Sequence, residues 1–156
     1  MSATQQLEKL GIALPPTATP AGSYVPAIRV GDLIYTSGQL PMVDGKLMAT
    51  GIVGRDGLTT ATAADCARTC ALNALAAAAQ VAGGLDNIKQ VVKLTVFVAS
   101  SGDPEYTEQA AVANGASDLL LQIFGDAGRH VRSAVGMASL PLQTPVEVEM
   151  IVEVQS

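Results

Sequence analysis

Residues 130–154 read HVRSAVGMASLPLQTPVEVEMIVEV, two apolar, β-rich runs joined by Leu-Pro-Leu-Gln-Thr-Pro. How their side chains alternate decides the fold. With a period of two, the last run places Val146, Val148, Met150, Val152 and Val154 on one face and Glu147, Glu149, Ile151 and Glu153 on the other. The valine face is predicted to pack under helices. The run before it places Val131, Ser133, Val135 and Met137 on one side, with Arg132, Ala134, Gly136 and Ala138 opposite. Charges in such apolar strands need a reason, because burying an unpaired charge costs several kcal/mol. With Arg132 and the glutamates on the sheet face away from the helices, a partner subunit over that face would make a walled cleft holding a cation and carboxylates.

Working outward, residues 88–99, IKQVVKLTVFVA, are rich in β-branched side chains and read as a strand. Two helices flank it in sequence. The first runs from a capping Thr59 or Thr60 to Ala82 and stops at Gly83-Gly84; the second runs from Pro104 to Phe124 and closes at Gly125. Upstream, SYVPAIRV, Gly31-Asp32 and LIYTSGQLP form a hairpin, and Asp44-Gly45 makes a second turn. A short helix over residues 3–10, ended by Gly11, and a Pro-rich stretch precede it. The order β, β, helix, β, helix, β, β predicts an α+β sandwich, with both helices packed on one face of a mixed sheet. Residues 23–156 form one domain and residues 1–22 an N-terminal extension.

The chain of 156 residues suits a single core. Hydrophobic residues make up 49% but aromatics only 3%, so that core is built from Ala, Val, Leu, Ile and Met. A mean hydropathy of +0.35 implies apolar surface beyond one core, hence oligomerisation. No run is long enough to span a membrane, and the N-terminus lacks the basic start and apolar stretch of a signal peptide. A net charge of −5 with scattered basic residues argues against nucleic acid as a partner. Cys66 and Cys70 lie four apart on one helix face and His130 stands alone, so no zinc set is expected. Both thiols read as buried core residues of a cytoplasmic protein.

Three blocks carry a family resemblance. RSAVGMASLP followed by VEVEMIVEV resembles the C-terminal signature of the RidA/YjgF family, where R-S-x-V leads to L-P and then V-E-[IV]-E. SYVPAIRVGDLIYTSGQLP is similar to the family's Y-x-x-A to S-G-Q-x-P block, and ALNALAAAAQVAGGLDNIKQVVKLTVFV resembles its helix end and following strand. In order, they cover roughly residues 23–154.

The resemblance implies a chorismate-mutase-like fold assembled as a homotrimer with clefts between subunits. It also implies cofactor-independent hydrolysis of enamines or imines of the 2-aminoacrylate type to 2-keto acids and ammonia, without a metal. By motif, the carboxylate-binding arginine falls on Arg132, the water-positioning glutamate on Glu147, the cleft tyrosine on Tyr24, the S-G-Q turn on Ser37, Gly38 and Gln39, and a helix asparagine on Asn114. A guanidinium fork suits a carboxylate, and one base suffices for an already reactive imine. Glu149 and Glu153 read as structural or interface charges. The stretch from Asn114 to Arg132 is one residue longer than in typical members, and His130-Val131 replaces their Pro-Ala. His130 shares the face of Arg132 and is read as a rim or structural residue, while Gly136 widens the cleft. The alternative reading is a non-catalytic trimer that binds a small carboxylate and regulates a partner. Older family labels, endoribonuclease and translation inhibitor, fit the acidic charge and few aromatics poorly.

Overall fold

The final strand sets the architecture. In β7 (Val146–Val154) every second residue, from Val146 to Val154, is buried while Glu147, Glu149, Ile151 and Glu153 are half-buried, as the period of two requires. The structure, a computed structural model, describes residues 1–55, 57–100 and 106–155. Around β7 lie β1 (Ala27–Val30), β2 (Leu33–Thr36), β5 (Ile88–Ala99) and β6 (Val131–Met137), in the order β1-β2-β7-β5-β6. Only the β5–β6 pair is parallel. Two short strands, β3 (Met42–Val43) and β4 (Lys46–Leu47), form a separate ribbon whose turn residues Asp44 and Gly45 both have positive φ. This is the expected α+β architecture, with its helices on one face of a mixed sheet.

The helices form where caps and composition direct them. Ser2 caps α1 (Ala3–Leu10) in a reciprocal box with Gln5, and Gly11 ends it in the left-handed region. Asp86 also accepts from the Thr4 amide at 2.9 Å, which holds its carboxyl below the ordinary range. Thr59 caps α2 (Thr60–Ala82), and Gly83 closes it. The alanine face of α2 lets α3 (Gln109–Phe124) approach closely: a Cβ at Gly115 would collide with the Ala64 carbonyl. Leu7 of α1 is buried in the same core cluster, so the N-terminal segment packs on the body of the fold. Each fully buried Leu, Val or Met beneath the helices contributes about 1.5–3 kcal/mol. Among the described residues, no helix is long and apolar enough to cross a membrane.

Two expectations need correction. Helix α3 begins at Gln109; the expected start at Pro104 lies outside the described residues. Tyr106 is non-helical, its hydroxyl 3.0 Å from Thr60 Oγ1, and the Thr60 hydroxyl donates to Glu108 Oε2 at 3.0 Å, so the segment is tied to the start of α2 instead. The larger correction concerns Arg132. In register it pairs with Leu94, which pairs with Met150, and both of those are buried under the helices. Arg132 therefore lies on the helix side of β6, whereas Glu147 pairs with Phe97, and Phe97 with Val135, on the open side. That open face also carries Ile28, Tyr35 and Val131, at 55%, 39% and 65% exposure, so it is an apolar surface without a covering layer in one chain.

Candidate active site

Arg132 is held by α3. Its Nη1 donates to Asn114 Oδ1 at 2.9 Å and to Ser117 Oγ at 3.0 Å, and its Nη2 reaches the Ala110 carbonyl at 3.5 Å. Ala110, Asn114 and Ser117 are spaced four and three apart, so they share one stripe of the helix. Small residues follow on the same side of β6. A Cβ at Gly136 would stand 2.9 Å from Ser100 Oγ and 3.2 Å from Gln109 Nε2, so glycine makes room for those two side chains. Both Nη1 protons are used, and Nε makes no hydrogen bond among the described residues. With one Nη2 proton directed at Ala110, Nε and the other Nη2 proton remain as a fork for a carboxylate.

His130 lies on the same side, as its spacing from Arg132 predicts. Its Nδ1 is 2.6 Å from the Gly128 carbonyl and its Nε2 2.9 Å from Ser117 Oγ. Together with Leu121 and Arg129, these three residues line an open hollow of about 320 Å³. The Arg129 guanidinium pairs locally with Asp126 at 3.1 Å. Ser117 is the residue that the sequence reading missed; its signal was its position three after Asn114, which puts both on the stripe facing Arg132.

A second group gathers where β2 meets β7. Gln39 bridges to Val148 through both backbone bonds, at 2.8 and 3.0 Å, which pins the Ser37-Gly38-Gln39 turn beside Glu147. The Glu147 carboxyl lies directly over Gly38, so a side chain there would have to push that carboxyl aside. Burial, and then the neighbouring Glu149 charge, raise the Glu147 pKa above the ordinary carboxylate value. Ser37 Oγ donates to the Val25 carbonyl at 2.6 Å, so its proton is committed and only its lone pairs face outward. Tyr24, half-exposed, lines a hollow of about 110 Å³ with Gly38, Gln39, Asn73, Leu40 and the segment from Ala18 to Ala21. Asn73 steadies that hollow by donating to the Leu40 and Met42 carbonyls at 2.9 and 3.1 Å.

The predicted residues thus fall into two sets. Arg132 and Asn114 meet at one end; Tyr24, Ser37, Gly38 and Glu147 gather at the other. Two strand spacings, roughly 10 Å, and three residues along the strand, roughly 10 Å more, separate Arg132 from Glu147, on opposite faces. Other charges have ordinary roles. Glu153 pairs with Lys89 and accepts from Gln90, both at 2.7 Å, which bears out its structural reading. Glu149 lines a shallow hollow on the open face with Tyr35, Lys93 and Thr95. Cys66 and Cys70 are buried in the core, and burial pushes the Cys66 thiol up to about 11, leaving it a poor nucleophile.

Comparison with known proteins decides the family. The family model described as "YjgF/chorismate_mutase-like, putative endoribonuclease" matches residues 4–154. The chain belongs to the RidA/YjgF family. Among RidA/YjgF relatives, the protein TCP17 of Trypanosoma cruzi is 47% identical over 96% of this chain and 92% of its own. A solved structure from Shewanella oneidensis, bearing the same endoribonuclease designation, superposes with a TM-score of 0.93 at 35% identity, covering 99% of this chain and 100% of that one. The 2-iminobutanoate/2-iminopropanoate deaminase of Dermatophagoides farinae is 28% identical over 92% of this chain and 95% of its own. Family membership and that last relative support a RidA-like function in the broad sense.

Proposed function

We propose that this protein is a cofactor-independent deaminase that hydrolyses enamine and imine intermediates of the 2-aminoacrylate type to 2-keto acids and ammonia. The observation that carries the reading is Arg132, braced by α3 through Nη1 with its Nε–Nη2 edge open. That edge would take the substrate carboxylate through two parallel charge-assisted hydrogen bonds. The enamine tautomerises to the imine, and water adds to the imine carbon. As the carbinolamine collapses, the C–N bond breaks, nitrogen leaves as ammonia and the carbonyl forms. Glu147 would accept the water proton, and its raised pKa makes it a better base near neutral pH than an ordinary carboxylate. The mite deaminase relative supports this choice of reaction.

Because Arg132 and Glu147 occupy opposite faces of one sheet, one chain does not unite them. Joining the Arg132 end of one copy to the Gly38–Glu147 end of the next is a head-to-tail contact between different surfaces, which makes a ring when the rotation between copies closes. A homotrimer with inter-subunit clefts fits, and the exposed apolar side chains Ile28, Tyr35, Val131 and Val135 supply a face to bury in it. With a net charge of −5, three tyrosines and two phenylalanines, the chain offers an RNA strand little to hold, so the endoribonuclease designation does not enter the proposal.

The test is pyruvate release while a PLP-dependent dehydratase generates 2-aminoacrylate from serine. Wild type should accelerate release, and Arg132→Ala should match the protein-free blank. If wild type matches the blank with this and with bulkier imino acids, the deaminase reading falls. Keto-acid binding by calorimetry, abolished in Arg132→Ala, would then point to a carboxylate-binding protein without turnover.

A further inference from the structure

With the His130 ring neutral, the hydrogen bonds around Ser117 have one consistent direction. The Gly128 carbonyl can only accept, so His130 Nδ1, 2.6 Å away, carries the proton. In the neutral ring Nε2 is then an acceptor, and the Ser117 hydroxyl, 2.9 Å away, donates to it. With its proton so committed, Ser117 Oγ offers lone pairs, and Arg132 Nη1 donates into them at 3.0 Å. The chain of donors runs Arg132 to Ser117 to His130, while the ring's other nitrogen is tied to Gly128.

The backbone fixes the far end of this chain. Residues 125–128 form a single 3-10 turn after α3, and at Gly128 the turn presses against the helix so closely that a Cβ would meet the Leu120 carbonyl. That contact sets where the Gly128 carbonyl stands, and hence which ring nitrogen of His130 is protonated. Ser117 is itself 8% exposed, so its partners are chosen inside the protein. All three side chains line one open hollow.

We propose that Ser117 and His130 are positioning residues that act through Arg132: by orienting the Ser117 lone pairs they lock Nη1 and so aim the Nε–Nη2 edge at the ligand carboxylate. Asn114 occupies the second Nη1 proton, which makes the lock two-point. The inference rests on the reading of Arg132 as the carboxylate-binding residue. Its chemistry requires only a monocarboxylate, so pyruvate serves as the probe.

Two measurements test it. His130 is the single histidine of the chain, so its ring nitrogens give one unambiguous NMR signature. The neutral ring is expected to carry its proton on Nδ1 and leave Nε2 bare; the opposite tautomer overturns the proposal. Pyruvate binding is then compared across wild type, Ser117→Ala, Ser117→Thr and His130→Ala. Ser117→Ala should weaken binding roughly tenfold, the loss expected when a hydrogen bond orienting a charged group goes. The loss should appear in KM with kcat within about twofold, because ground-state and transition-state binding fall together. Ser117→Thr, which keeps the hydroxyl, should recover most of it, and His130→Ala should fall between. If wild type binds pyruvate and all three variants bind it equally, the positioning role is wrong while the deaminase reading stands. If wild type binds no carboxylate and releases no keto acid, both fail.

Discussion

The two ends of the candidate site are built on opposite principles. Around Arg132 the support is made of side chains: Asn114, Ser117 and, behind them, His130 occupy one side of the guanidinium and leave the other open. Around Glu147 the support is backbone, the Gln39–Val148 bridge and the bare Cα of Gly38, and among the described residues the carboxylate itself receives no hydrogen bond or ion pair. The contrast follows from the two tasks. A group that recognises a carboxylate gains from being fixed before the ligand arrives. A base that handles water must stay unpaired, because each bond to its charged form would lower its pKa and its basicity.

The largest effect expected from breaking this contrast comes from Glu147→Gln. Loss of a general base lowers the rate by about 10²–10⁴-fold, and pyruvate binding by calorimetry should be unchanged, since binding belongs to the other end. A variant that lost both would join the two regions in one role. The same substitution also has a stability signature. Burial raises the Glu147 pKa in the folded chain, so the fold holds that proton to higher pH than the unfolded chain does. Stability therefore falls as pH rises from the unfolded value, about 4.3, through the folded one. Glu147→Gln removes this penalty: its melting temperature should exceed wild type at neutral pH, and the two should converge in acid.

Next comes Arg132→Lys. An ammonium keeps the charge but presents no planar fork, and it cannot satisfy Asn114 and Ser117 while also facing a ligand. One hydrogen bond to a charged group carries about 1.5–3 kcal/mol, so KM should rise between tenfold and a hundredfold. Unchanged kinetics would mean that charge alone recruits the substrate and that the bracing by α3 is irrelevant to it.

The unequal legibility of the two ends has the same origin. Glu147 could be placed from its own strand, because β7 is central and its alternation is unbroken, buried at every second residue. Arg132 could not. Strand β6 is an edge strand with no fully buried residue, small or apolar side chains on both sides, and a face decided only by the parallel register that sets Arg132 beside Leu94. That is a nonlocal fact, and the spacing in 130–138 reads equally well either way. His130 was correctly grouped with Arg132 because a two-residue offset survives any choice of face. Ser117 escaped notice because a serine inside a helix ordinarily satisfies itself locally; its role depends on which strand the helix covers. The register shifts in β5 likewise break the simple alternation, so Ile88, Val91 and Leu94 are buried at intervals of three.

The smallest effect is expected from Glu149→Gln, and it tests the electrostatics of the Glu147 end alone. Glu149 shares the open face of β7 with Glu147, near Lys93 and Thr95, and its negative charge is the second cause of the raised Glu147 pKa, after burial. Removing it should lower that pKa only in part, because the desolvation remains. The acid limb of the rate profile, where Glu147 becomes protonated and stops accepting, should therefore move to lower pH without reaching that of an ordinary carboxylate. The plateau rate should stay level or dip slightly, since a less basic carboxylate takes a proton less readily. Raising the salt concentration should move the wild-type limb the same way and the variant's by less, because only the Coulombic part is screened. A limb that stayed in place would mean that the Glu149 charge does not act on Glu147 and that burial alone raises its pKa.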